Sequence, residues 1–166
     1  MDTVEVTRTY LEMTDPGQLR ATTEAESQFR LQRVADCPAA FARFLYTEVG
    51  QRYSWTDRAG WSDEQWRARL TEPGVSLWVL YGSGAPAGYC ELRASADGST
   101  EIAYLGLLPH FVGRGLGKLL LVSAVRRAWS DGASRVWLHT CSLDSPAALP
   151  NYLARGFRKF REERVG

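Results

Sequence analysis

The stretch VGRGLGKLLLVSAVRRAW, Val112 to Trp129, places glycines at three alternate positions immediately before an apolar pattern of helical spacing. The stretch before it, STEIAYLGLLP, alternates like a β-strand. Together they predict a strand, a glycine-rich turn and a helix from Leu116 to Ser130. The first N–H groups of such a helix lack acceptors and lie at the positive end of the helix dipole, so they favour an anion. Because glycine has no side chain, this backbone can approach a phosphate group closely.

Two common nucleotide-binding loops fit this stretch poorly. A Walker loop needs four residues between its first glycine and the Gly-Lys pair, and a Ser or Thr after the lysine. Here three residues separate Gly113 from Gly117, and Leu119 follows Lys118. A dinucleotide-binding loop needs two residues in its last interval, whereas only Leu116 separates Gly115 from Gly117. The turn therefore predicts a phosphate ligand, and neither of these two nucleotide-binding loops is well supported.

Alternating apolar residues predict strands on both sides of this turn. In TVEVTRTYLEM the residues Val4, Val6 and Arg8 lie on one side, and RVWLHTC is predicted to be a buried strand. Asp97-Gly98 stands between PAGYCELR and STEIAYLGLLP and is a strong hairpin signal, so these two strands are predicted to be antiparallel neighbours. The other predicted strands are FRLQRV, VSLWVLYG and GFRKFREE.

Helical spacing predicts three more helices. AAFARFLYTEVG places Phe41, Phe44 and Leu45 on an apolar face, and WSDEQWRARL begins with Ser62 and Gln65 at capping-box spacing. PAALPNYLAR is a shorter helix. With strands and helices in this mixed order, we predict an α+β fold: a mixed, mostly antiparallel central sheet flanked by helices.

Composition narrows the class of partner. The 166 residues fit one domain, taken here as 1–166, and the net charge is +1. This balance gives no electrostatic reason to expect nucleic acid or a membrane surface. No apolar run approaches the roughly 18 residues that span a bilayer, and the first residues do not resemble a leader, so we expect a cytoplasmic protein with a small partner. The three cysteines, Cys37, Cys90 and Cys141, are far apart, which argues against disulfides and against a metal site.

From about Leu77 to Phe160 the chain resembles the GNAT superfamily of acetyl-CoA-dependent N-acetyltransferases, with their acyl-CoA N-acyltransferase fold. VGRGLG stands where that family has (Q/R)xxGxG, with Val112 in place of Gln or Arg. DSPAALPNYLARGFRKF resembles its second signature, with Ser145 where Asn is common. The resemblance implies that residues 75–162 bind acetyl-CoA and that residues 1–72 border the acceptor site. The implied donor-binding residues are Val112, Gly113, Arg114, Gly115, Leu116, Gly117, Lys118 and Ser145.

The same resemblance implies roles in acetyl transfer. The reaction needs a neutral amine, a donor for the oxyanion and a proton for the departing thiolate. In the family a main-chain N–H before the glycine turn binds the thioester carbonyl, which corresponds here to Leu107 or Leu108. Tyr152 corresponds to the tyrosine that protonates or positions the sulfur. Pro150 has no N–H to donate, so this helix is expected to kink there or to start late.

The base has three candidates. Glu101 matches the position of the base in the histone-modifying branch of the family, Glu91 is its rival, and an ordered water could serve instead. If the hairpin is centred on Asp97-Gly98, Glu91 pairs near Tyr104 and Glu101 near Ala94. Strand alternation then puts the two carboxylates on opposite faces of the sheet. Only one of them is therefore expected in the acceptor cleft.

The acceptor is expected near QRYSWTDRAGW, because aromatic residues with a few polar groups typically line a small-molecule pocket. The candidates are Tyr53, Trp55 and Asp57, and Asp57 could attract a cationic amine. We therefore predict acetyl transfer from acetyl-CoA to a primary amine of a small molecule or peptide, by direct attack in a ternary complex. The alternative is a non-catalytic acetyl-CoA-binding regulatory module. The oligomeric state stays open, a homodimer included.

A thiol hydrolase is a further alternative. His139 and Cys141 lie two residues apart and hence on one face of a strand, with Asp144 nearby. A buried strand, however, is a poor place for a nucleophile.

Overall fold

The computed structural model describes residues 5–21 and 28–165, so Val4 of the first strand pattern lies outside the described residues. These residues form a sheet of seven strands in the order β2-β3-β4-β5-β6-β1-β7. The strands are β1 (Val6–Met13), β2 (Phe29–Arg33), β3 (Val75–Gly82), β4 (Ala85–Ala94), β5 (Ser99–Leu107), β6 (Arg135–Cys141) and β7 (Arg158–Val165).

The sheet is mixed, as predicted, because one pair of neighbouring strands is parallel. β5 and β6 pair over a short distance only, Ser99–Glu101 with Arg135–Trp137. The other neighbouring strands are antiparallel. Beyond Glu101 and Trp137 the two parallel strands separate, so the sheet opens between β2–β5 on one side and β6, β1 and β7 on the other.

Helices cover both faces of this sheet. α1 (Ala39–Gly50) and α2 (Asp63–Leu70) lie on one face, where Leu45 and Val49 of α1 pack with buried residues of β3 and β4. α3 (Leu116–Ser130) and α4 (Ala148–Ala154) lie on the other face, where Leu121 and Val125 of α3 pack with buried residues of β1 and β6. The α+β architecture predicted from the sequence is confirmed.

Local sequence explains where the helices before the site begin and end. At α2 the capping box forms as expected: Gln65 N donates to Ser62 Oγ at 3.2 Å, and Ser62 N donates to Gln65 Oε1 at 2.8 Å. α1 ends at Gly50, where a Cβ atom would lie 2.6 Å from the Cβ of Trp55. The missing side chain lets the connection between α1 and α2 fold back onto the end of α1.

Two details of burial differ from the prediction. Phe44 is 44% exposed, and the buried face of α1 is formed by Ala42, Leu45, Tyr46 and Val49. Adjacent residues of a helix are rotated by about 100°, so Phe44 lies off that face. β6 is buried on one face only. Its residues alternate between buried and accessible positions, and His139 is exposed.

Nowhere in the described residues is there a helix with both the length and the apolar character required to span a membrane.

Candidate active site

A cleft of about 1190 Å³ opens where β5 and β6 separate. Because it passes between the strands, it is lined from both faces of the sheet. Glu101 and Tyr104 reach it from the face of α1 and α2, and Tyr152 reaches it from the face of α3 and α4. One end of the cleft is bordered by the glycine turn and the other by the connection between α1 and α2.

The glycine turn offers a row of backbone donors. Gly113 and Gly115 have φ values of +86° and +75°, which favour glycine. No atom lies within 4 Å of a Cβ placed on either residue. None of the N–H groups from Gly113 to Gly117 donates to another described residue. The turn therefore presents unpaired N–H groups to open space at the start of α3, which is the arrangement that binds phosphate.

The side chains of the turn fall into two groups. Val112 and Lys118 line the cleft together with the three glycines. Arg114 does not line it: its guanidinium lies 5.1 Å from the centre of the Phe111 ring and 3.4 Å from His110 Nε2. Leu116 is buried at the start of α3 and also does not line the cleft. These last two residues can contribute to a ligand site only through their backbone.

The start of α4 is tied to the glycine turn. Asn151 Nδ2 donates to the carbonyl of Gly117 at 3.4 Å, a contact that the sequence did not indicate. Ser145 lines the cleft just before α4, and its hydroxyl accepts from Ala147 N at 3.3 Å. The helix begins at Ala148, which puts Pro150 in its first turn, where a missing N–H costs little. The helix therefore starts late, one of the two outcomes predicted.

The two candidate amides, at the last residue of β5 and the residue after it, point in opposite directions. The N–H of Leu108 donates to the carbonyl of Ala87 at 2.9 Å, so it belongs to the pairing with β4. Successive N–H groups along a strand point to opposite edges, so that of Leu107 points toward β6, where pairing has stopped. Leu107 lines the cleft and Leu108 does not. This geometry removes Leu108 as a candidate and leaves Leu107.

Tyr152 lines the cleft from α4, although its side chain is only 9% exposed. Its ring packs at a steep angle on Phe157, with 6.2 Å between centroids. Its hydroxyl makes no hydrogen bond to another described residue and is not among the buried polar atoms that lack a partner. Burial, followed by the charge of Asp144, raises the pKa of Tyr152 well above its usual value. The hydroxyl therefore keeps its proton at neutral pH and faces the cleft.

Glu91 and Glu101 lie on the same face of the sheet, contrary to the prediction. Glu91 pairs with Tyr104 as expected, but the register then shifts and Glu101 pairs with Arg93. The shift skips Ala103, which forms a β-bulge in β5 and reverses the alternation beyond it. Glu101 therefore shares a face with Arg93, and Arg93 with Glu91.

The two carboxylates nevertheless have different surroundings. Glu91 is 1% exposed and does not line the cleft; its oxygens accept from Arg58 at 2.7 and 2.9 Å and from Arg69 at 3.0 Å. Burial opposes ionisation, but these two arginines outweigh it and lower the pKa of Glu91. Glu101 lines the cleft, and burial raises its pKa against the charges of Arg69 and Arg93. Only Glu101 is thus placed to exchange a proton with a ligand.

Residues 53–58 form an aromatic and acidic wall. Tyr53, Trp55 and Asp57, the predicted acceptor residues, all line the cleft. Trp55 packs on Tyr104 of β5 with 5.0 Å between ring centroids, and Tyr104 donates from its hydroxyl to Asp57 Oδ2 at 3.4 Å. Arg58, which also lines the cleft, holds the wall against β5: its guanidinium lies 4.3 Å from the centre of the Tyr104 ring. The sequence had no local signal for the pairing of Arg58 with Glu91, because 33 positions separate them.

The facing wall is formed by β6 and β1. His139, Cys141 and Arg8 line it, and Arg8 lies directly across from Cys141 in the strand pairing. Asp144 accepts from Thr140 Oγ1 at 2.5 Å and from Cys141 N at 2.9 Å. It is engaged in the turn after β6 and does not orient His139, so the arrangement of a thiol hydrolase is not present.

Within residues 5–21 and 28–165, no group of three or more His, Cys, Asp or Glu could hold a metal ion.

Comparison with protein families gives a match over most of the chain. The model of the Acetyltransferase (GNAT) family matches residues 39–157. The match begins well before Leu77, where the resemblance seen in the sequence starts, and it includes α1, α2 and the wall at residues 53–58. No curated protein matches the sequence.

Solved structures of low sequence identity share the fold. A GCN5-related N-acetyltransferase from Kribbella flavida has 24% identity and a TM-score of 0.65, with 92% of this chain and 54% of that chain covered. One from Sphaerobacter thermophilus has 18% identity and a TM-score of 0.71, with coverages of 95% and 50%. This chain thus spans about half the length of either protein. An aminoglycoside acetyltransferase from an uncultured soil metagenomic sample, solved with sisomicin, has 13% identity and a TM-score of 0.62, with coverages of 80% and 90%.

Proposed function

Since this chain belongs to the GNAT acetyltransferase family, we propose that it is an N-acetyltransferase that moves an acetyl group from acetyl-CoA to a primary amine of a small molecule or peptide. One observation carries this proposal. The unpaired N–H groups of the glycine turn and the aromatic and acidic wall at residues 53–58 border a single continuous cleft. Donor and acceptor can therefore occupy the cleft together, as direct attack in a ternary complex requires.

The residues present fit the donor. The N–H groups from Gly113 to Gly117 and the ammonium group of Lys118 would hold the pyrophosphate of CoA, and Ser145 would border its pantetheine arm. Val112 and Leu143 are each 42% exposed and line the cleft, which gives that arm apolar contacts. When bound, acetyl-CoA supplies an acetyl group activated as a thioester.

Two groups of the chain would serve the thioester end. The Leu107 N–H, which points into the gap between β5 and β6, would donate to the carbonyl oxygen and stabilise negative charge there. The Tyr152 hydroxyl, protonated because burial raises its pKa, would donate its proton to the departing sulfur. Both groups are fixed by secondary structure, so little reorganisation is needed when the donor binds.

Glu101 would remove the proton from the attacking amine. Its carboxylate lines the cleft, and its raised pKa makes it a better proton acceptor than an ordinary exposed glutamate. Asp57 and the aromatic rings around it would attract and contact the amine. Glu91 is unsuited to this role because both of its oxygens are engaged by Arg58 and Arg69.

The test has a binding step and a turnover step. In thermal unfolding, acetyl-CoA or CoA at about 100 times its Kd should stabilise the protein by about 2.7 kcal/mol, whereas ATP and NAD at equal concentrations should not. Acetyl-CoA is then supplied with a panel of amino acids, short peptides, polyamines and aminoglycosides, and the N-acetyl product is identified by mass. Stabilisation without any product would favour the non-catalytic regulatory module. No stabilisation by either CoA species would overturn the proposal.

A further inference from the structure

The cleft wall that faces Asp57 carries an arginine whose donors are only partly used. Arg8, on β1, lines the cleft with a side chain that is 36% exposed. Its Nη1 lies 3.4 Å from Glu163 Oε1, near the limit of a hydrogen bond. Its Nε is buried and has no acceptor among the described residues. Its Nη2 makes no hydrogen bond to another described residue and is not among the buried atoms without a partner, so a ligand in the cleft can supply its acceptor.

The carboxylate of Glu163, beside Arg8, also binds Tyr10 and Arg161. Glu163 Oε1 accepts from the Tyr10 hydroxyl at 2.7 Å, and Oε2 accepts from Arg161 Nη2 at 2.9 Å. Both contacts are shorter than the one that Arg8 makes. Glu163 therefore neutralises Arg8 incompletely, and the guanidinium keeps donors for another acceptor.

The other arginines near the acceptor end are held by carboxylates at short distances. Arg58 binds both oxygens of Glu91, and Arg69 donates to Glu91 and Glu72. Arg155 also lines the cleft, and its Nε is likewise buried without an acceptor. It directly follows α4, whose Asn151 contacts the glycine turn, so we assign it to the donor end. Arg8 differs from Arg58 and Arg69 in that its carboxylate contact is long, at 3.4 Å.

Opposite charges face each other across this end of the cleft. Asp57 and Glu101 lie on the wall formed by β5 and the 53–58 segment, and Arg8 lies on the wall formed by β1 and β6. The pKa of Arg8 is raised chiefly by its neighbour Tyr10, with further contributions from the charges of Glu163 and Asp57. The contribution of Asp57 is the smallest of these, and the placement of the two residues on facing walls rests on the lining of the cleft.

We propose that the acceptor is an amine that also bears a carboxylate, with its nitrogen toward Glu101 and Asp57 and its carboxylate bound by Arg8. The proposal rests on the proposed function, because it names the acceptor class of the same cleft. A guanidinium is suited to this role, since its planar donors match the two oxygens of a carboxylate. A polycationic amine would instead place positive charge against Arg8 and leave its Nη2 without an acceptor.

Binding of the reaction products tests the proposal independently of turnover. Protein saturated with CoA is titrated calorimetrically with N-acetylglycine, N-acetyl-β-alanine and N-acetyl-γ-aminobutyrate, and with the three corresponding primary amides. Within each pair only the charge differs. Across the three pairs the distance between the acetylated nitrogen and the carboxylate increases. For at least one pair we expect the acid to bind roughly tenfold more tightly than the amide, since a hydrogen bond to a charged group contributes about that factor.

Variants assign the preference to one side chain. In Arg8→Gln the ratio of acid to amide affinity should fall to within about twofold of one, and Arg8→Lys should restore part of it. Arg158→Gln is the matched control, because Arg158 is an exposed arginine of the neighbouring strand β7 that does not line the cleft, and it should keep the wild-type ratio. Equal or absent binding of acids and amides in the CoA-saturated wild type, or a ratio unchanged by Arg8→Gln, would overturn the inference. Failure to bind CoA would overturn the proposed function instead.

Discussion

Two glutamates on the same face of the sheet have pKa values shifted in opposite directions. Glu91 is held by Arg58 and Arg69 and stays ionised, whereas Glu101 lines the cleft with a raised pKa. Removing one member of a buried ion pair such as Arg58 and Glu91 typically costs 3–5 kcal/mol, because the other charge is left without a partner. A substitution of Glu91 would therefore report on folding of the aromatic and acidic wall, and Glu101 is the residue at which proton transfer can be tested.

Tyr152→Phe removes the hydroxyl and keeps the ring that packs on Phe157. We expect kcat to fall by a factor on the order of 100 or more, because a positioned general acid contributes about that much. The affinity for acetyl-CoA should stay within about twofold, since the glycine turn is unchanged. CoA release and calorimetric binding of acetyl-CoA measure the two effects. Tyr89→Phe is the control, because Tyr89 is buried outside the cleft; a kcat of Tyr152→Phe equal to that of this control would exclude Tyr152 as the proton donor.

Glu101→Gln should change the pH dependence of the reaction as well as its rate. The carboxyl must be ionised to accept a proton, and burial raises its pKa, so kcat/KM of the wild type should rise with pH through that raised value. In Glu101→Gln this rise should disappear and kcat/KM should be lower throughout. An acceptor with a weakly basic amine keeps deprotonation of the amine out of the profile. Glu64→Gln, on the exposed side of α2, should behave as the wild type. An unaltered profile in Glu101→Gln would favour an ordered water as the base.

At the scale of elements, Gly115 in the glycine turn and Gly132 just after α3 are two glycines at which the same substitution can be compared. Gly115 and Gly132 both have positive φ, at +75° and +101°, and neither has an atom within 4 Å of an added Cβ. Only Gly115 lines the cleft. Alanine at either position should cost about 1–2 kcal/mol of stability through backbone strain. Only Gly115→Ala should also lose affinity for acetyl-CoA, which calorimetry would show. Equal affinity in the two variants would mean that the turn does not hold the donor.

Gly156, between α4 and β7, permits a close approach of two segments. It has a φ of +111°, and an added Cβ would lie 1.9 Å from the carbonyl oxygen of Gln18. Because the clash is with backbone, Gly156→Ala should lower the free energy of unfolding by several kcal/mol. Gly84→Ala, at a φ of +85° with no atom within 4 Å, adds strain without a clash and should cost only about 1–2 kcal/mol. Denaturant unfolding compares the two; similar losses would show that the Gln18 segment moves aside readily.

Which of these features could be predicted depends on how local their cause is. The bounds of α3 and the capping box of α2 follow from neighbouring residues, and both were predicted from the sequence. The bulge at Ala103 depends on pairing between strands, so the face of Glu101 was predicted wrongly. The contact of Arg58 with Glu91 and the open donors of Arg8 likewise depend on residues far apart in the chain. Local patterns thus predict the elements, and tertiary pairing decides which side chains meet in the cleft.

At the scale of the whole molecule, the parting of β5 from β6 is what creates the site. A continuous sheet would satisfy the edges of both strands and leave no passage between its faces. Because pairing ends after Glu101 and Trp137, the cleft connects the glycine turn and Tyr152 with the wall of Trp55 and Asp57. The glycine turn and the aromatic and acidic wall belong to the half of the sheet that contains β5. Arg8 and His139 belong to the other half, which contains β6 and β1.

This arrangement predicts an initial-rate pattern that distinguishes direct acetyl transfer from transfer through an acetylated residue of the protein. The proposed function places both substrates in the cleft together, so initial rates at varied concentrations of acetyl-CoA and amine should give intersecting lines, as for a ternary complex. Cys141 is the one cysteine among the described residues that lines the cleft, and an acetyl group carried on its sulfur would instead give parallel lines. Intact protein incubated with acetyl-CoA alone should therefore gain no mass, and Cys141→Ala should keep kcat within a few fold. An acetylated wild-type protein whose modification is absent in Cys141→Ala would replace direct attack by a two-step transfer through Cys141.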